Sequence, residues 1–169
     1  MKYSVELIAD KICELGEGPI WNVTDQKLYW TDITQGDIWQ YDPSIRSFSK
    51  YLDCDFQIGG FAFNRENKLI IFTDSGVFKV QDLEKKIFIP LFQDIKLTEK
   101  ERFNDIIVDP EGRIFAGTLI PDQWGGKLYL LENGKEAKIV RENLFCSNGM
   151  SFSPDLKTFY HTETVERMF

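Results

Sequence analysis

Glu17, Asn104 and Asn148 are the residues whose types and spacing point most directly to chemistry. Each opens a short apolar run, and each occupies the same step of a pattern that recurs every 42 to 45 residues. A carboxylate with two side-chain amide carbonyls is a hard oxygen set suited to Ca²⁺, Mg²⁺ or Mn²⁺. The remaining step of the series is Gly59, which breaks the ligand pattern and instead permits a close backbone approach. Asn and Glu beside Gly are also ordinary turn residues, a reading that accounts for any one position better than for three in phase. Arg102, just ahead of Asn104, adds a cation able to hold a developing oxyanion or a substrate carboxylate, and Asp105 adds a second carboxylate. An oxygen-bound metal polarises a carbonyl and activates water, so hydrolysis of an ester or lactone fits the set.

Such residues need a scaffold that brings them together, and the chain repeats one. RFNDIIVDPEGRIFAGT (102–118) reads as two apolar runs joined by a turn in which Pro110 presets φ and Gly112 is permissive. Its relatives are GPIWNVTDQKLYWTD (18–32), GGFAFNRENKLIIFTD (59–74) and NGMSFSPDLKTFYHTE (148–163). Superposing the second runs puts Leu28, Ile70, Ile114 and Phe159 in register, and the first runs align at Pro19, Phe61, Ile106 and Met150. Two further apolar runs after each of the first three hairpins give about four strands per period, the pattern of a β-propeller blade.

The fold expected is therefore all-β, a β-propeller of which about three and a third blades are present. Blades run from about 17 to 53, 59 to 94 and 104 to 142, and a fourth begins at Asn148. It is cut short after its second strand, with Arg167-Met168-Phe169 opening a third. The alternating stretch Tyr3 to Ala9 reads as a further strand, of the kind that closes a propeller ring. Thr98 and Glu101 stand in capping-box spacing, consistent with a short helical turn between 96 and 102. Trp124, in the insertion Pro121 to Gly126, either stacks on a ligand or packs against a neighbouring blade, the second being favoured.

Composition removes several alternatives. The net charge of −7 and the lack of any basic patch beyond Lys85-Lys86 disfavour nucleic acid as a partner. Cys13, Cys54 and Cys146 form no CxxC pair, so neither a disulfide framework nor a zinc site follows from them, and reduced thiols in a cytoplasmic protein are expected. No apolar h-region precedes Gly16 and no run approaches a membrane span, so neither export nor a membrane association is expected. A nucleophilic triad needs a histidine; the one present, His161, falls at a second-strand position and reads as packed. There is no GxSxG, P-loop or GxGxxG.

LGEGPIW (15–21), RFND with VDPEGRIFAGT (102–118) and NGMSFSPDLKTFYHTET (148–164) together resemble the senescence-marker-protein/gluconolactonase (regucalcin-like) family. The resemblance covers nearly the whole chain and implies a six-bladed propeller with residues 1–169 as the N-terminal part of a single domain, its C-terminal blades absent. It also implies one divalent metal ion (Ca²⁺, Zn²⁺, Mg²⁺ or Mn²⁺) in the channel and lactonase activity on a sugar lactone. Carried over position by position, Glu17 and Asn148 match metal ligands, and Arg102 and Asn104 match substrate-binding positions. The family aspartate that completes the ligand set and acts as catalytic base lies beyond Phe169, so no catalytic residue is assigned. Ile106 stands where many relatives carry Gly. The alternative is a non-catalytic propeller that binds calcium or a partner protein. Open blade edges in a partial ring lead to an expectation of impaired activity, and of self-association or pairing with a C-terminal half.

Overall fold

The computed structural model describes residues 3–165, and among them there is no helix. Fourteen strands form three four-stranded antiparallel sheets and one two-stranded sheet. Blade one contains β1 (Gly16–Asn22), β2 (Lys27–Asp32), β3 (Asp37–Asp42) and β4 (Ser47–Asp53). Blade two contains β5 (Ile58–Phe63), β6 (Leu69–Thr73), β7 (Val77–Asp82) and β8 (Ile87–Leu91). Blade three contains β9 (Arg102–Val108), β10 (Ile114–Leu119), β11 (Gly126–Leu131) and β12 (Lys138–Leu144). Blade four contributes β13 (Ser147–Phe152) and β14 (Phe159–Glu163). Within each sheet every strand pairs with its sequence neighbour, and the inner strands β1, β5, β9 and β13 lie side by side in that order. This is the meander and radial arrangement of a β-propeller.

The inner hairpins form for a local reason that repeats. Asn22 Oδ1 accepts from Thr24 N at 2.9 Å, Asn64 Oδ1 from Glu66 N at 3.0 Å, and Asp109 Oδ1 from Glu111 N at 2.9 Å. A side-chain oxygen that bonds the backbone two residues on starts a turn. In blade four Ser153 Oγ serves instead, accepting from Thr158 N at 3.0 Å. Each turn then passes through a left-handed residue, namely Gln26, Asn67, Gly112 or Leu156.

The core lies between blades rather than within any one. Side chains alternate across each sheet, so in β6 Ile71 faces blade one while Phe72 faces blade three. The first cluster joins Tyr29, Ile38 and Leu52 to Ile58, Phe61 and Val80, and the second joins Phe72 and Val77 to Phe103, Tyr129 and Leu131. Full burial of each such side chain contributes roughly 1.5–3 kcal/mol. Blade four is fastened by Phe115, whose ring stacks on Phe159 at 4.3 Å.

Three local expectations are corrected. Register pairs Phe63 with Leu69, as it pairs Trp21 with Leu28 and Val108 with Ile114, so Leu69 rather than Ile70 is the repeat-equivalent residue. Tyr3 to Ala9 is not a strand: it joins no ladder with the described residues. The segment is instead laid over blade one by polar contacts: Glu6 pairs with Arg46, and Lys11 Nζ sits 5.1 Å from the Trp39 ring centroid. Residues 96–102 form no helical turn either. Glu101 Oε2 does accept from Thr98 N and Oγ1, both at 3.0 Å, but the chain enters β9 at once. The expected third strand of blade four, Arg167 to Phe169, lies outside the described residues. Trp124 packs edge to face on Phe145, 5.6 Å between centroids, at the entry to blade four.

Candidate functional site

Every inner strand carries a β-bulge at the same end. Register shifts between Glu17 and Ile20, between Ile58 and Gly60, opposite Ala116 to Thr118 on β9, and between Asn148 and Met150. A bulge re-aims the side chain beside it, and bulges collect near functional sites. Two of the four are built alike: Glu17 and Asn148 are each followed by a left-handed glycine, Gly18 at φ +58° and Gly149 at φ +55°. A Cβ there would be strained, so the Glu-Gly and Asn-Gly pairs are what allow the strand to turn its preceding side chain out of the ladder.

Both side chains are exposed. Among the described residues Glu17 has no side-chain hydrogen bond or ion pair, and Asn148 Oδ1 accepts only from Gly149 N, at 3.0 Å. An anionic oxygen without a protein partner and a largely uncommitted amide are what a hard-cation site needs. These residues therefore fit a divalent ion, with Glu17 supplying the charge and Asn148 an amide oxygen. No group of three or more His, Cys, Asp and Glu side chains is placed to hold a metal among the described residues.

Blade two contributes proximity instead of a ligand. A Cβ on Gly59 would lie 1.9 Å from Phe103 O, and one on Gly60 would lie 2.9 Å from Ile106 Cγ1. The paired glycines bring β5 against β9 and so help to place Arg102 and Asn104. Arg102 is half-buried, and its Nη1 donates to Phe103 O at 2.9 Å and to Asn104 Oδ1 at 3.0 Å. It has no ion-pair partner among the described residues, and burial pushes its pKa below the usual arginine value, with the fields of Cys146 and Asp74 opposing.

Asn104 is committed at both ends of its amide. Its oxygen accepts from Arg102, and its Nδ2 donates to Ser147 O at 3.0 Å and approaches Cys146 Sγ at 3.6 Å. It therefore braces blade three against blade four and steadies the guanidinium. Arg102 and Asn104 are brought together directly, whereas Glu17 and Asn148 stand at the same end of β1 and β13, with β5 and β9 between those strands.

Asp105 is more engaged than its residue type alone would indicate. Burial raises its pKa above the usual carboxylate range, hydrogen bonding from the N–H groups of Ile106, Gly149 and Met150 opposes that rise, and the charge of Glu17 adds to it. His161 Nε2 lies 2.7 Å from Ser147 Oγ, a nucleophile-base pairing in form. Ser147 is fully buried, however, so no acyl group can reach it, and the pair is part of the packing as the strand register implied.

A set of buried carboxylates escaped the sequence reading. Asp32 accepts from Glu14 N at 3.1 Å and Leu15 N at 3.0 Å, while Glu163 accepts from Phe145 N at 3.0 Å. Both lie at 0% exposure and tie the chain entering a blade to the end of its second strand. In blade three Leu119 stands at that step and Glu101 takes over, accepting from Thr118 Oγ1 at 2.7 Å. The signal available was Thr-Asp or Thr-Glu in phase at 31–32, 73–74 and 162–163. Cys13, Cys54 and Cys146 are all free thiols.

Residues 15–169 match the SMP-30/Gluconolactonase/LRE-like region. Pentonolactonase XacC of Haloferax volcanii is 35% identical over 97% of this chain and 55% of its own length. A 6-deoxy-6-sulfogluconolactonase of Pseudomonas putida is 33% identical over 97% of this chain and 56% of its own length. Among solved structures, the calcium-binding protein regucalcin of Agrobacterium tumefaciens superposes with a TM-score of 0.81 at 22% identity, covering 94% of this chain and 53% of that one. That likeness carries the fold. The chain spans about half the length of the curated relatives it matches.

Proposed function

The chain belongs to the SMP-30/gluconolactonase/LRE-like family, and from that premise we propose that it is the N-terminal part of a single propeller domain that hydrolyses a sugar lactone with the help of one divalent cation. The names of the relatives that match at 35% and 33% identity, a pentonolactonase and a sulfogluconolactonase, support that reaction class. The observation that carries the reading for this chain is the matched pair of bulges. Glu17-Gly18 and Asn148-Gly149 turn an anionic and an amide oxygen out of their strands, with Arg102 beside Asn104 on the inner strand β9.

A bound cation would supply a Lewis acid toward the lactone carbonyl. Glu17 and Asn148 would hold it, and Glu17 would provide the charge that attracts it. Arg102, locked to Phe103 O and Asn104 Oδ1 but carrying no carboxylate partner among the described residues, offers remaining N–H donors to a substrate oxygen. Asn104 keeps that guanidinium in place. A non-catalytic cation site gains nothing from a half-buried positive charge nearby, so Arg102 favours hydrolysis over calcium binding alone. No helix among the described residues is long and apolar enough to span a bilayer.

The test is a pH-stat measurement of acid release from glucono- and pentonolactones by the complete propeller that contains this chain, before and after EDTA. Turnover that EDTA abolishes and added Ca²⁺, Mn²⁺, Zn²⁺ or Mg²⁺ restores is expected; metal-independent turnover, or none on any lactone, refutes the proposal. For the 169-residue chain alone, low activity and self-association are expected, since Trp21, Val108 and Tyr160 are exposed. Size-exclusion chromatography of that chain reads its association state, and a monodisperse, active monomer contradicts this part of the reading.

A further inference from the structure

Asn148 is followed by a glycine that the ladder does not hold. The β13–β14 register runs from Asn148 opposite Thr162 to Met150 opposite His161 and skips Gly149, which is left-handed at φ +55°. The Gly149 N–H turns instead to the side chain of the preceding residue, and Asn148 Oδ1 accepts it at 3.0 Å. That contact folds the Asn148 amide back over its own following peptide bond, so that Cγ lies beside Gly149 N. Both residues are exposed, and no hydrogen bond among the described residues holds Asn148 Nδ2. A glycine also brings no side chain to shield its nitrogen.

We propose that Asn148-Gly149 is a site of self-modification by deamidation, at which the bulge turns a neutral oxygen donor of the candidate cation site into a carboxylate. Gly149 N gives up its proton to solvent and attacks Asn148 Cγ; an N–Cγ bond forms, the Cγ–Nδ2 bond breaks, and the side-chain nitrogen leaves as ammonia. Water then opens the cyclic imide at either carbonyl and leaves an aspartate or an isoaspartate at position 148. Water is consumed, ammonia is released, and nothing is oxidised or reduced. An aspartate adds a negative charge to the one Glu17 supplies, and ligand charge tunes affinity for a hard cation. An isoaspartate routes the main chain through Cβ and displaces the carboxylate. Asn133-Gly134, the other Asn-Gly pair, is a built-in comparison. It is exposed in a turn closed by Lys135 N to Glu132 O at 3.1 Å, with Gly134 at φ +74°, but no bond folds the Asn133 side chain onto Gly134 N. A side chain held in one of the staggered χ1 wells meets the attack geometry roughly threefold more often than a free one.

The test incubates the wild-type 169-residue chain with EDTA at mildly alkaline pH, folded and in urea, and follows conversion at both asparagines by peptide mass spectrometry. Asn148 is expected to convert about threefold faster than Asn133 in the folded chain, and at a similar rate in urea, where only the shared Asn-Gly sequence counts. Conversion at Asn148 no faster than at Asn133 in the folded chain, or the same excess persisting in urea, overturns the proposal. A parallel incubation with excess Ca²⁺ in place of EDTA rests on the reading of Asn148 as a cation ligand. Coordination draws Oδ1 away from Gly149 N, so Ca²⁺ is expected to remove the roughly threefold advantage of Asn148 and to leave Asn133 unchanged. An advantage that Ca²⁺ does not alter overturns the ligand reading and leaves the modification site standing.

Discussion

A single methyl group at Gly59 measures how tightly the inner strands must approach. A Cβ built there meets Phe103 O at 1.9 Å and Asn104 N at 2.9 Å. Both are backbone atoms, so no rotamer change relieves the overlap, and β5 must move from β9 by about 1.5 Å to take the contact from 1.9 Å to an ordinary 3.4 Å. The displaced seam is where the Phe72 and Phe103 rings meet edge to face at 5.5 Å, at the heart of the second core cluster. Overpacking of this kind costs about 1–3 kcal/mol. Gly→Ala at a conformation alanine can adopt returns roughly 0.4–1 kcal/mol by restricting the unfolded chain, and Gly59 is not left-handed. The net loss expected is about 1.3 kcal/mol, which at ~2–4 °C per kcal/mol for a chain of this size lowers the thermal midpoint by roughly 3–5 °C. Far-ultraviolet circular dichroism on heating reads it. Gly112→Ala is the comparison, since nothing lies within 4 Å of its Cβ and only its φ of +84° opposes the change. A midpoint for Gly59→Ala at or above the wild-type value would refute the close-approach argument.

Glu101→Gln leaves Lys127 Nζ, 3.4 Å away, without its charge partner and weakens the bond from Thr118 at 2.7 Å; a loss of about 2 kcal/mol is expected, and an unchanged urea midpoint would show that this buried network adds nothing. Asp109 should make stability depend on acid pH. Burial alone would raise its carboxyl, but the hydrogen bonds and charge of Arg113 outweigh that and hold it below the usual range. Its contribution is therefore present above the unfolded value of about 3.9 and is lost as pH falls through the lower folded value. Asp109→Asn should cost stability at neutral pH and progressively less below that range, so urea titrations showing an equal cost at both ends would count against the assignment.

The blade pattern was legible because its determinants are local. Asn22, Asn64 and Asp109 each start a turn with their own side chain, and the flanking strands alternate or run apolar for five to seven residues. The slip at Ile70 has the same root. LIIF offers four apolar residues in a row, so neither face of β6 is marked, and only the Phe63 to Leu69 pairing decides which step is equivalent. Tyr3 to Ala9 alternates as a strand should, yet alternation describes a half-buried face and cannot supply the neighbouring backbone that a ladder requires. Thr98 and Glu101 make one of the two bonds of a capping box, Thr98 N to Glu101 Oε2, without a helix, because a cap stabilises an end and cannot start a helix that the next residues leave for a sheet.

For the site, the same division holds at longer range. Glu17-Gly18 and Asn148-Gly149 announce themselves in the sequence, since an oxygen donor followed by a glycine in phase is a statement about one strand and its bulge. Asn104 shares the phase but not the geometry: its amide is drawn into Arg102 on one side and Ser147 on the other, a residue 43 positions later that no local pattern connects to it. In a radial fold each blade completes contacts its neighbour begins, so the side chains nearest the channel owe their orientation to strands a full repeat away. The residues that a repeat marks are thus its candidate ligands, and the residues that hold those ligands in place are found where one blade meets the next.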